Sequence, residues 1–218
     1  MTRIRRTIVL GLTLALALIT AAPAHAAPPR TETTHVEWHM QAQAVDDKPA
    51  GPIEGAAARL VVTDSGASVV LRTHGLEPGH AYTLWYVVIN NPGACAGTPC
   101  TGPDILLNPE VDAQVTFGAG TVTGNSGRAT FAAHMPVGPV DGWLADRTFH
   151  NPRGAEYHFV INDHGPKLAA HMPGMIHTYR GGCSDDSPFP PIFPDTALAD
   201  GEPGPNRCLL TQVAIFQP

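Results

Sequence analysis

Charged residues are scarce in this chain, and basic ones are scarcer than acidic ones. Only 15% of the 218 residues are charged, with 13 Lys and Arg against 19 Asp and Glu. Nucleic acids and anionic membranes bind clustered basic side chains, so the net charge of −6 argues against both as partners. The apolar fraction of 43% excludes a disordered acidic tail, and the length is ample for a hydrophobic core.

Long hydrophobic runs are absent after residue 26, where the longest purely apolar run, Leu84–Ile89, is too short to span a bilayer. Residues 1–26 begin with basic side chains, continue with an apolar segment and end at the small-x-small site Ala24-His25-Ala26. This pattern predicts a secretory signal peptide over residues 1–26. Twin-arginine export stays open beside the general route, because Arg5 and Arg6 are adjacent. We therefore expect a secreted, extracytoplasmic protein with no membrane segment after cleavage. Its net charge would be −9, because three Arg leave with the signal.

Sustained helical periodicity is also absent, and 22 Gly and 22 Pro leave little room for long helices. Residues 34–45 alternate apolar and polar side chains, which predicts a half-buried strand with Met40 in the core. Similar patterns predict strands at 60–63, 68–73, 82–89, 115–122, 129–135, 155–163 and 209–216. The Gly124–Gly127 turn predicts that the strands on either side of it form a hairpin.

About eight short strands with turn signals between them predict an all-β fold, an antiparallel β-sandwich. The segment Gly75–Leu84 resembles the turn before a strand in fibronectin type III and immunoglobulin-like domains. The resemblance implies an immunoglobulin-like sandwich in which the Tyr82 hydroxyl bonds back to the turn. No linker separates two cores, so we expect a flexible start at 27–32 and a single domain over 33–218. Long connections join the strands at 90–112, 136–152 and 164–207.

The four cysteines all follow the signal, and an even number in an oxidising compartment favours disulfides over thiol chemistry. Three connectivities are possible, of which we favour the nearest-neighbour pairs Cys95–Cys100 and Cys183–Cys208. The chain-entropy model gives about 2 kcal/mol for the short ring and about 3.5 kcal/mol for the long one. The long loops should therefore be stapled by disulfides.

The order of motifs along the chain resembles an uncharacterised family of secreted bacterial proteins. The segments that carry the resemblance are His80–Trp85 with Asn91-Pro92, the Cys95/Cys100 pair, Asn151-Pro152 before Ala155–His158, Asp163–Pro166, Gly181–Cys183, and the Cys208 strand. The resemblance implies export and a single domain, and it brings no activity. His158 and His164 stand at positions that the family pattern contains.

Ten histidines remain after the signal, a number that suggests a metal site. Strand spacing separates most of them, and the H-x-H pattern of copper/zinc superoxide dismutases does not occur. A copper or zinc site stays open if strands and loops contribute one ligand each, the alternative being ordinary solvated side chains. The candidate ligands are Glu156 and His158 on the outer face of their strand, His164 at its end, and His171 and His177 in the following loop.

Sequence motifs for nucleophilic, metalloprotease, P-loop or dinucleotide chemistry are missing, so no catalytic residue or cofactor is assigned and a non-enzyme is favoured. Trp143 and Tyr179 fall in loops, where exposed aromatics contact glycans or proteins, although such rings also plug the ends of a sandwich. We therefore expect a secreted binding module that acts through its long loops on an extracellular protein, glycan or small ligand. The alternative is a copper- or zinc-binding protein, including a metal-dependent enzyme.

Overall fold

Ten β-strands, three short α-helices and four single-turn 3-10 helices form the regular structure of residues 27–218, the part of the chain that the computed structural model describes. The predicted signal peptide lies outside these residues. The strands are β1 (Arg30–Trp38), β2 (Pro52–Thr63), β3 (Gly66–Thr73), β4 (His80–Ile89), β5 (Ala113–Val122), β6 (Ala129–Pro136), β7 (Gly138–Pro139), β8 (Thr148–Phe149), β9 (Glu156–Pro166) and β10 (Leu209–Phe216). The helices are α1 (Met40–Asp46), α2 (Gly102–Leu107) and α3 (Asp195–Ala199).

Eight of the strands form one antiparallel sheet in the order β5-β4-β9-β10-β1-β2-β3-β6. The sheet curls until its two edges nearly meet, and a Cβ built on Gly118 of β5 would lie 3.3 Å from the Ala133 Cβ of β6. The predicted antiparallel all-β fold of about eight strands with disulfide-stapled loops is thus confirmed. The immunoglobulin-like sandwich of two packed sheets is not confirmed, because all eight strands belong to one continuous sheet.

The concave side of the sheet holds the main core. Strand alternation sends every second residue inward, so that Tyr157, Phe159 and Ile161 of β9 are fully buried, as the sequence predicts. These side chains pack with inward residues of the other strands, among them Leu60, Leu71, Leu84, Tyr86 and Phe131.

The outer face of β4, β5 and β9 carries a second apolar layer instead of facing water. Trp85, Val87 and Val115 of the sheet are covered by Ile105 of α2, by the loop aromatics Trp143, Tyr179, Phe189 and Phe193, and by Leu198 of α3. The long connections supply this cover. Strands β4 and β9 are therefore buried on both faces.

The first predicted strand differs from the structure at both ends. It begins earlier, because Arg30 already pairs with Val62 of β2, so the flexible start is shorter than residues 27–32. It ends at Trp38, because the His39 ring accepts a hydrogen bond from the Gln41 N–H and caps α1. The prediction of Met40 as a core residue is wrong, since this side chain is 75% exposed on the helix. The Met-Gln-Ala-Gln-Ala segment alternates in polarity but consists of strong helix formers.

The predicted hairpin between β5 and β6 does not form, although the chain does turn at Gly124–Gly127. The carbonyl of Gly127 accepts a hydrogen bond from the Leu76 N–H at 3.1 Å, and β6 then pairs with β3. The unpaired seam between β5 and β6 leaves a cavity of about 250 Å³, lined in part by Tyr86 and Phe117.

Both nearest-neighbour disulfides are confirmed. Cys95 bonds to Cys100 and Cys183 to Cys208, each with a Cα–Cα distance of 5.4 Å. The second bridge ties the long 164–207 connection to the residue before β10. In residues 27–218, every helix is too short or too polar to cross a bilayer.

The Tyr82 hydroxyl should contribute measurably to stability. It accepts from the Glu77 N–H at 2.9 Å, as the tyrosine-corner resemblance implies, and it donates to Asp163 Oδ2 at 3.0 Å. Tyr82→Phe leaves the Glu77 N–H and the half-buried Asp163 carboxylate each short of a hydrogen bond, so we expect a loss of about 1–3 kcal/mol in the free energy of unfolding. Urea denaturation measures this loss.

The matched control is Tyr86→Phe. The Tyr86 hydroxyl is also buried, but its hydrogen bond is a single, longer one of 3.3 Å to the Ala67 carbonyl. We expect this variant to lose less stability than Tyr82→Phe. Equal losses would contradict the role given to the Tyr82 hydroxyl.

Candidate functional site

Four polar side chains lie buried on the outer face of β9. Glu156, His158, Asn162 and His164 are 1%, 6%, 0% and 0% exposed. The sequence indicated that this face holds either ligands or solvated side chains, and the covering loops exclude the solvated alternative. Because an unpaired buried polar group costs free energy, the partners of these four residues show what this face can do.

Glu156 and His158 form a buried pair at the start of β9. His158 Nε2 lies 2.6 Å from Glu156 Oε1, and the same oxygen accepts the Cys100 N–H at 2.8 Å. The carboxylate thus ties the disulfide-closed segment Cys95–Cys100 to the sheet. His39 lies close enough to His158 for their charges to interact, and burial together with that interaction lowers the pKa of His39 to about 4.

His164 is held near the other end of β9 by contacts at both ring nitrogens. Nε2 lies 2.8 Å from the Thr83 hydroxyl oxygen, and Nδ1 lies 2.8 Å from the Gly181 carbonyl oxygen. Thr83 in turn accepts the indole N–H of Trp85 at 3.0 Å. Burial lowers the pKa of His164 to about 4, so the ring is neutral at physiological pH and its Nδ1–H donates to Gly181.

The five predicted metal ligands do not form one cluster. Glu156 and His158 are paired, and His164 lies toward the far end of the same strand. His171 is half-buried in a 3-10 helix, and the exposed His177 stacks on Phe117 with 5.7 Å between ring centroids. Among residues 27–218, the group of three or more potential ligand side chains with ligand atoms within 4.8 Å of one another is His164 with Cys183 and Cys208.

The two predicted contact aromatics belong to the second apolar layer. Tyr179 is 0% exposed and lies at the centre of a cluster with Trp85, Trp143, Phe189 and Phe193, with centroid distances of 4.6–5.3 Å. Trp143 is half-buried against the same rings. Tyr179 is therefore not a surface contact residue; it anchors the long connections to the sheet.

A groove over β1 and β10 was not predicted from the sequence. It has a volume of about 580 Å³. Glu32, His35 and Glu37 of β1 line it together with Val213 and Ile215 of β10 and with Pro99 of the Cys95–Cys100 segment. We call it the β1–β10 groove.

The charge of the β1–β10 groove is acidic. Glu32 pairs with Arg30 at 2.9 Å, whereas Glu37 is exposed and forms no ion pair with any residue of 27–218. The ladder between β1 and β2 shifts register between His35 and Glu37, and such irregularities re-aim side chains next to binding sites. The groove thus has an apolar strip formed by Val213 and Ile215, the uncompensated carboxylate of Glu37, and a wall formed by Pro99.

The sequence contained part of the signal for this groove. His35 and Glu37 fall on the polar face of the first strand, and Val213 and Ile215 share one face of the last strand by alternation. The pairing of the first strand with the last, residue 37 opposite residue 213, is a long-range contact that local patterns do not encode.

No protein-family model, curated protein or solved structure matches the chain, so its function has to be argued from this geometry.

The buried neutral histidines predict a loss of stability in acid. In the unfolded chain His39 and His164 regain a pKa near 6.5, so between about pH 6.5 and pH 4 the unfolded state binds more protons. The free energy of unfolding should therefore decrease as the pH is lowered from about 6.5 to about 4. His39→Asn keeps a side-chain acceptor for the helix cap but removes one titrating ring. Urea denaturation at several pH values should show that the free energy of unfolding of this variant falls less steeply than that of the parent as the pH is lowered. The difference in slope corresponds to up to one proton taken up on unfolding.

The control for this experiment is His177→Asn. The His177 ring is exposed in the folded chain, so its loss should leave the pH dependence as it is in the parent protein. If His39→Asn and the parent lose stability with the same slope, His39 is not held neutral by the fold.

Proposed function

We propose that the protein is an extracytoplasmic binding module whose β1–β10 groove takes a small cationic ligand. The observation that carries the proposal is the exposed, unpaired Glu37 in a groove of about 580 Å³ with an apolar strip. The two disulfides and the signal-like N-terminus support the compartment. The volume is within the usual range of small-molecule sites, about 300–1,000 Å³.

The preference for a cation follows from the charges that line the groove. Glu32 and Glu37 are its two charged side chains, and the Glu32 carboxylate is already matched by Arg30. An incoming guanidinium or ammonium would pair with Glu37, and a guanidinium can do so through two parallel hydrogen bonds. The exported chain, with 19 acidic against ten basic residues, would also attract a cation at long range.

The apolar part of the ligand would lie on Val213 and Ile215. Both side chains are half-buried in the free protein, and Pro99 rises beside them as an exposed wall. The Cys95–Cys100 disulfide and the bond from the Cys100 N–H to Glu156 restrict the motion of that wall. A pre-organised wall lowers the entropic cost of binding. A short peptide with one apolar and one basic residue fits these features.

Long loops contribute to this function less directly than the sequence indicated. Pro99 comes from the 90–112 connection, but the aromatic residues of the other two connections are used to cover the sheet. The proposed ligand contacts therefore come mainly from strands, and the role of the loops is to hold the sheet and one wall in place.

Two matched peptides test the proposal. N-acetyl-leucyl-arginine amide should bind and raise the melting temperature of the protein, whereas N-acetyl-leucyl-citrulline amide, which carries no positive charge, should bind at least tenfold more weakly. Glu37→Gln should remove most of this difference. Isothermal titration calorimetry at low ionic strength measures both affinities.

The control variant is Glu202→Gln, which removes an exposed carboxylate outside the groove. We expect it to bind the arginine peptide as the parent does. Equal binding of the two peptides by the parent, or an equal effect of the Glu37 and Glu202 substitutions, would overturn the proposed function.

A further inference from the structure

The β1–β10 groove lies where two neighbouring strands of the sheet come apart. Glu37 pairs with Val213 and Trp38 with Gln212, and the ladder between β1 and β10 ends there. In the described part of the chain, the rest of β1 pairs only with β2, and the end of β10 pairs only with β9. The groove of about 580 Å³ is lined by both of these strand segments and is the gap between them.

An irregularity on the other side of β1 explains the separation. As β1 advances from His35 to Glu37, its partner in β2 changes from Ala57 to Pro52, so that β2 contains extra residues at this point. Extra residues in one strand of a ladder bend the sheet and increase its local twist. Strand β1 leaves β10 at this same point.

Backbone groups on both sides of the groove have no partner strand. In an antiparallel ladder the N–H and C=O groups of alternate residues point to the same neighbouring strand. The His39 N–H donates to the Thr211 carbonyl at 2.9 Å, so the odd-numbered residues of β1 and β10 are the ones that face each other. The residues that direct their N–H and C=O groups into the groove in this way are Thr31, Thr33, His35 and Ile215.

We propose that an extended polypeptide segment with a basic side chain binds in this groove by strand addition. Its backbone pairs with the free edges of β1 and β10, as peptides do when they add a strand to a sheet. The inference rests on the proposed function, because it uses the same groove and the same Glu37 carboxylate. It specifies the class of ligand as a polypeptide recognised through its main chain.

The free edge of β1 is long enough for such a segment. From Thr31 to His35 it spans about 13 Å, the length of about four extended residues. An inserted strand needs about 10 Å between the two edges, so it enters at the end away from the joined pair Glu37–Val213. Because β1 and β10 are antiparallel, the segment runs antiparallel to one edge and parallel to the other, as in mixed sheets.

Side chains along the groove select which segment binds. Glu37 and Val213 lie opposite each other and therefore share one face of the sheet, and Ile215 lies on the same face by alternation. The exposed Glu37 carboxylate favours a basic side chain, and the two half-buried side chains favour an apolar one. Alternate residues of a strand share a face, so the basic and apolar residues of the ligand should be separated by one residue.

Amide hydrogen exchange followed by nuclear magnetic resonance tests the binding mode. The probe is N-acetyl-arginyl-threonyl-leucyl-threonyl-arginine amide, in which an arginine lies two residues from the leucine in either chain direction. In the free protein the amides of Thr33, His35 and Ile215 should exchange rapidly, whereas those of Thr34 and Ala214, which bond within ladders, should exchange slowly. Saturation with the peptide should slow the first group at least tenfold more than the second.

An ester analogue of the same peptide is the matched control on the ligand. Replacing the leucine N–H by an ester oxygen removes one backbone donor and keeps both charges, and it should weaken binding about fivefold. The arginine and citrulline dipeptides are measured in parallel, because their difference reports on Glu37 alone.

Strand addition is overturned if the pentapeptide does not bind, if it binds without protecting both Thr33 and Ile215, or if the ester analogue binds equally well. The proposed function survives these results as long as the protein still distinguishes the arginine dipeptide from the citrulline one. Equal binding of the two dipeptides overturns both proposals. Amides of Thr33 and Ile215 that are already protected in the free protein, by the chain itself or by a second copy, also overturn strand addition.

Discussion

Strand β9 is buried on both faces, and this burial determines which contacts the neighbouring elements have to provide. Its inward side chains, Tyr157, Phe159 and Ile161, complete the main core, while its outward ones are largely polar. Under cover, these polar groups need partners: Glu156 has His158 and the Cys100 N–H, and His164 has Thr83 and Gly181. The long connections bring Cys100, Gly181 and the aromatic cover onto this face of the sheet. The long connections are thus packed against the sheet and are not flexible loops that extend into solvent.

The same contacts link the buried layer to the open groove. Glu156 holds the Cys100 N–H, and Pro99, the neighbouring residue, forms a wall of the β1–β10 groove. The groove itself needs the first and last strands side by side, with Glu37 opposite Val213. A binding surface built in this way comes mainly from strands, which hold side chains more rigidly than loops do.

Features that depend on residues close together in the chain, such as strand alternation and the disulfide pairs, could be predicted from the sequence. Alternation along β9 identified its inward aromatics, and the proximity of the cysteines along the chain gave both disulfides. The hairpin at Gly124–Gly127 failed because a turn signal specifies a reversal and not the partner strand. The covered polar face of β9 and the buried Tyr179 were missed because a 44-residue connection folds back over the sheet, a long-range event without local periodicity.

Occupancy of the β1–β10 groove is measured by the amide chemical shifts of isotope-labelled protein during titration with N-acetyl-leucyl-arginine amide. If the groove is the binding site, the largest changes fall on His35, Glu37, Val213 and Ile215, and they vanish with the citrulline peptide. Changes concentrated at the indole N–H of Trp143 and the surrounding connections, with the groove unaffected, would contradict the assignment of function to the groove.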